Sequence, residues 1–142
     1  MGSSATASLQ LPVRLRGIQL GRPTDLLLDI DDWHALGFVV RCRDESVRFL
    51  PYGASQPGDH EIEVQSALML LEDVAFYTER SVSFRSLLGG EVERGGRPAG
   101  VLSDIVVGWD GGMEELEIER GGKRLRVPAR GSTVIRTRAS AA

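Results

Sequence analysis

Three groups of residues in this 142-residue chain have the types to do chemistry. Asp29, Asp31 and Asp32 precede Trp33-His34, and clustered carboxylates supply the oxygen ligands that Ca²⁺ or Mg²⁺ takes. Their spacing lacks the Asp-x-Asp-x-Asp-Gly pattern of a calcium loop, so the segment reads as a polar hairpin turn. His34 and His60 lie close to Asp32 and Asp59, where an imidazole could act as a base with partners distant in sequence. Neither has a nucleophile at a fixed spacing, and both read as exposed turn histidines. Cys42 stands between Arg41 and Arg43, and flanking cations lower a thiol pKa. Alternation along a strand places Cys42 on the opposite face from the two arginines, which makes it a buried, inert thiol. These readings name no catalytic residue, no metal ligand, no cofactor and no small-molecule substrate.

One cysteine and two histidines also exclude a disulfide framework and a Cys/His zinc cluster. The net charge of −3 is too small to imply a highly charged partner. Its distribution is uneven: residues 1–78 carry −5 and residues 79–142 carry +2. From 120 to 138 there are seven basic residues and no acid. Such a tract can bind RNA phosphates by counterion release. It has no aromatic residue between its arginines, so base-stacking platforms are missing. Arg124 and Arg126 are also expected to face Glu117 and Glu119 across a hairpin, where ion pairs would neutralise them.

The elements that must position these groups are short strands. Seventeen glycines fall between short apolar runs, a spacing that favours strands over long helices. Strands are expected at 13–20, 26–29, 35–42, 46–51 and 61–65, then at 90–93, 100–107, 114–120 and 123–128. Glu115-Leu116-Glu117-Ile118-Glu119 alternates strictly, so Leu116 and Ile118 belong on one buried face. Leu125 and Val127 alternate with Arg124 and Arg126 in the same way. Gly121-Gly122 between these runs marks a two-residue type I′ turn, which needs positive φ at both positions. Helix is expected over 65–77 with Ser66 as N-cap, and a short turn over 83–88. No apolar run reaches the ~20 residues of a membrane span. Residues 1–10 lack the basic and apolar regions of a signal peptide, so the cytoplasm is the expected compartment.

The chain repeats itself. Asp25-Leu26-Leu27-Leu28 matches Asp104-Ile105-Val106-Val107 at an offset of 79 residues, and Pro51 matches Pro128 at 77. Each half resembles the PRC-barrel family. The second carries Leu88-Gly89-Gly90-Glu91-Val92, Gly96, Gly100, Ser103-Asp104-Ile105-Val106-Val107 and Val127-Pro128. The first carries Leu15-Arg16-Gly17, Asp25-Leu26-Leu27-Leu28-Asp29, Phe38-Val39-Val40 and Phe49-Leu50-Pro51, with what reads as a shortened first hairpin. The resemblance implies an all-β protein with minor α: two tandem small bent β-barrels joined by a short helical or irregular linker. The expected boundaries are a flexible arm at 1–12, a first unit at 13–78, a linker at 79–83, a second unit at 84–135 and a flexible tail at 136–142.

That fold implies docking rather than catalysis. The resemblance leads to the expectation of a non-catalytic protein–protein docking or scaffold module, self-associating or bound to a partner protein. The family's occurrence suggests two alternatives, a ribosome- or RNA-associated maturation factor and a peripheral subunit of a membrane electron-transfer complex. DNA is not an expected partner. The candidate interface residues are Trp33, Tyr52, Trp109, Arg124, Arg126 and Arg130, because exposed aromatics and arginines often anchor partners. Trp33 and Trp109 both adjoin Asp-rich turns, so the two are expected either exposed at equivalent hairpin ends or each capping the open end of its own barrel.

Overall fold

A computed structural model of the chain describes residues 2–131 and 133–136, and the tail expected at 136–142 lies outside them past residue 136. In chain order the elements are β1 (Ser3–Ser4), α1 (Ala5–Ser8), β2 (Val13–Leu15), β3 (Ile18–Asp29), β4 (His34–Cys42) and β5 (Val47–Pro51). Then come β6 (Ser55–Pro57), β7 (Ile62–Val64), α2 (Val74–Thr78), β8 (Val82–Ser83) and α3 (Phe84–Leu87). The second half holds β9 (Glu91–Arg94), β10 (Arg97–Val107), β11 (Met113–Arg120), β12 (Lys123–Pro128) and β13 (Thr133–Ile135). Strand accounts for 54% and helix for 14%, so the protein is all-β with minor α.

The strands form two curled sheets, each a half-barrel. The first runs β5-β4-β3-β2-β7-β6, and the second runs β12-β11-β10-β9-β13. Both long strands, β3 and β10, break register twice against their hairpin partners. Such bulges add local twist and let one strand bend around a core. As alternation requires, Leu116 and Ile118 are buried while Glu119 is exposed. Gly121 and Gly122 have φ of 58° and 79°, as a type I′ turn demands. Leu125 departs from expectation: it is 46% exposed, because β12 is an edge strand with little packed over it.

The two halves share one core. Leu26, Leu28 and Phe38 of the first sheet belong to the same buried cluster as Leu102, Ile105 and Leu116 of the second. Each such side chain contributes about 1.5–3 kcal/mol by leaving water. The halves also exchange their leading segments. β1 pairs with β10 of the second sheet, and β8 pairs with β3 of the first. Residues 1–12 are therefore no free arm: Ser3–Ser4 and Ala5–Ser8 are ordered, with Ala5 and Leu9 in the common core. Likewise the expected linker at 79–83 ends in a paired strand, and α3 packs Phe84 and Leu87 inward.

The exchange resets the internal repeat. Ser4 and Ser83, Gly17 and Gly96, and Asp25 and Asp104 all stand 79 residues apart. The first hairpin is thus not shortened. Its turn is Arg16-Gly17, with φ of 50° and 83°, where the second has Gly95-Gly96 with 59° and 78°. Arginine at a position that favours glycine concealed the equivalence. The counterpart of Leu88 is Leu9, not Leu15.

The segment 65–77 is not one helix. Ser66 caps a 3₁₀ turn at Ala67–Met69, Leu70 is buried, and Leu71 forms a bridge to Phe49. Asp73 then caps α2. The apolar positions at helical spacing are divided between a turn, a bridge and a five-residue helix, because Phe49 offers an edge that satisfies the Leu71 backbone. Tyr77 stacks on Phe49 at 3.9 Å and ties this connection to β5.

Candidate docking groove

The hairpin turns after β3 and β10 meet at the junction of the two sheets. Ala35 N–H donates to the Gly111 carbonyl at 2.7 Å, and Met113 N–H donates to the Trp33 carbonyl at 2.8 Å. His34 and Gly112 face each other between these bonds. His34 is consequently half-buried at the junction and not an exposed turn residue, whereas His60 is exposed. Asp29 accepts the N–H groups of Asp31 and Asp32, both at 3.1 Å, which is the polar turn that the sequence suggests. Among the described residues no three His, Cys, Asp or Glu side chains are grouped to hold a metal ion. Cys42 is half-buried, short of the full burial expected.

Trp109 occupies the second of these turns. Gly108 N–H donates to Gly112 at 2.8 Å, Gly111 N–H to Gly108 at 3.0 Å, and Gly112 N–H to the Asp110 carboxylate at 3.0 Å. Gly111 adopts φ of +90°, with the His34 ring directly against it. The loop is held from several sides, and the indole is left 85% exposed. A tryptophan in that state is unusual, since its apolar area ordinarily goes inward.

Tyr52 stands close by. It follows Pro51 in a 3₁₀ turn, and its carbonyl accepts both the N–H and the hydroxyl of Ser55. The ring is buried and stacks on Phe38 with centroids 5.8 Å apart. Burial, followed by the nearby carboxylates of Asp110 and Glu114, pushes its phenol up to about 12. The phenol is therefore neutral and protonated at ordinary pH. Tyr52 and Trp109 line one groove of about 670 Å³ together with Ser3, Asp110 and the strand Ser55–Pro57.

The other candidate residues do not join them. Trp33 is half-buried and packs on the core, with φ of 50°. It faces a separate cleft beside Thr133 and Ile135. The two tryptophans are not equivalent, since the junction hydrogen bonds match Trp33 to Gly111. Arg124 pairs with Glu117 and Glu119 at 3.6 Å each, and Arg126 pairs with Glu115 at 3.8 Å. These exposed pairs contribute little to stability, but they spend the charge of both arginines. Arg130 lines a neighbouring cleft with Asp110, Glu114 and Pro128.

Sequence reasoning missed Asp110, Gln56 and Pro57 as groove residues. Asp110 read as turn chemistry, and the strand Ser55–Pro57 is too short to show a period. No protein-family model matches the chain, and no curated protein matches its sequence.

Proposed function

We propose that this chain is a non-catalytic docking module of PRC-barrel type, acting in the cytoplasm through the groove between Trp109 and the β6 edge. The observation that carries this reading is Trp109, large, apolar and 85% exposed on a loop whose backbone is fixed. A rigid aromatic on a fixed loop gives a partner area without an ordering cost. RNA or ribosome association draws less support, because the two arginines best placed on the surface of β12 are already paired with glutamates. A peripheral role in an electron-transfer complex would use the same groove. Among the described residues no helix is long and apolar enough to cross a membrane.

A photo-crosslinking residue placed at position 109, and in a second variant at position 125, tests the reading in native lysate alongside the solution mass of the purified protein. A discrete adduct from 109 and none from 125 is the expected result. Equal labelling from both positions, or none from 109 with a strictly monomeric mass, would defeat the proposal.

A further inference from the structure

The wall of the groove opposite Trp109 is the open edge of β6, the last strand of its sheet. The phase of its ladder can be read. Gly58 N–H donates to the Glu61 carbonyl at 2.9 Å, which makes Gly58 and Glu61 a hydrogen-bonded pair. In an antiparallel ladder such pairs alternate with non-bonded ones. The next pair, Pro57 with Ile62, is then non-bonded, and Gln56 with Glu63 is bonded. Ile62 gives independent support, since its N–H turns the other way and donates to Pro12 at 2.9 Å. Gln56 therefore directs its backbone at β7, and the backbones of Ser55 and Pro57 point outward. Proline has no N–H, and the Ser55 N–H is already bonded to the Tyr52 carbonyl.

The backbone of this edge thus turns two carbonyl acceptors outward, that of half-buried Pro57 and that of buried Ser55, and no free N–H donor. An ordinary edge strand offers both and can pair with another strand; this one cannot. The opposite wall adds the indole face of Trp109 and the carboxylate of Asp110, again without a positively charged donor. Among the described residues no basic side chain lines the groove. Arg130 lines the neighbouring cleft, which Asp110 also lines, and its guanidinium and the Asp110 carboxylate both lie beside Gly112.

We infer that the groove receives the guanidinium of an arginine carried on an extended segment of a partner protein. Carbonyls, a carboxylate and an indole face together suit a donor-rich cation. A guanidinium is planar, holds five N–H donors in a fixed fork and stacks on aromatic faces. It can lie against Trp109 while donating toward Asp110 and the β6 carbonyls. This inference rests on the docking reading above and specifies what the partner brings.

The test uses the full chain and a capped Ser-Gly-Arg-Gly-Ser peptide, with citrulline and lysine versions as controls. The readout is the pair of indole N–H resonances. The arginine peptide is expected to shift the Trp109 indole saturably and leave Trp33 unmoved. Trp109→Ala, followed through neighbouring backbone amides, and Asp110→Asn should each weaken binding by roughly tenfold. Asparagine keeps an oxygen for the Gly112 N–H, so D110N tests the charge with the loop intact. Equal binding of the citrulline or lysine peptide overturns the guanidinium assignment. So does the absence of any Trp109 shift up to about 10 mM arginine peptide. If the peptide fails while cross-linking from position 109 persists, docking stands and the arginine reading falls. If both are silent, both fall.

Discussion

The Ser83 hydroxyl donates to the Asp25 carboxylate, 58 residues earlier in the chain. The same bond joins Ser4 to Asp104, and each serine also caps the short helix that follows it. Each aspartate further holds two backbone N–H groups: Leu26 and Arg85 on Asp25, Ile105 and Thr6 on Asp104. One carboxylate in each half thus clamps the leading segment of the other. Asp25→Ala strands three donors and should cost about 3 kcal/mol in urea unfolding. The Ser83→Ala, Asp25→Ala cycle should show coupling of about 1 kcal/mol or more, and additive single effects would count against the clamp.

Removal of residues 1–8 should behave as a core lesion rather than as the trimming of a loose end. It takes away β1, α1, the buried Ala5 and both hydroxyl contacts to Asp104. The expected loss is about 2–4 kcal/mol in denaturant unfolding. An unchanged midpoint would show that the exchange does not stabilise the fold.

Gly111→Ala should damage the junction of the sheets. Glycine there has φ of +90°, and a Cβ would lie 2.8 Å from the His34 ring nitrogen. Backbone strain and the clash together predict a loss of about 1–3 kcal/mol, read as a lower melting temperature. Gly121→Ala, strained but with open space around it, should cost less.

Alkaline stability should report on Tyr52. Its phenol is raised from 10 to about 12, so the unfolded chain releases this proton first. The contribution is complete below pH 10 and is lost as the pH climbs toward 12. Tyr52→Phe should flatten that part of the stability curve. Identical slopes in the two proteins would mean that the phenol is not held in the environment described.

Trp109→Ala should leave stability within about 0.5 kcal/mol of the parent, because the indole is 85% exposed. A large loss in chemical unfolding would make Trp109 a packing residue and remove the main support for the groove.

Much of the second half was legible in the sequence. Glu115 to Glu119 alternates, Gly121-Gly122 demands one turn type, and Asp104 opens an apolar run. The first half was harder to read, because Arg16 fills a turn position that glycine holds in its counterpart. The exchange of β1 and β8 was legible in neither half. Two-residue strands carry no period, and the partner of each lies far along the chain. The candidate site divides in the same way. Tyr52 and Trp109 stand out in the sequence as aromatics, but only folding brings them to one groove and leaves Trp33 in another.

The sequence by itself determined the β class, the two-fold repeat and the glutamate partners of Arg124, whereas Arg126 pairs with Glu115 instead of the expected Glu117 or Glu119. These depend on local alternation, on turn residues and on neighbours in one hairpin. The tertiary structure alone decided that the halves share one core, that residues 3–8 belong to the far sheet, and that the β6 strand and Trp109 line one groove. Those outcomes depend on long-range pairing and on the phase of a short ladder, which are set by the energy of the assembled core.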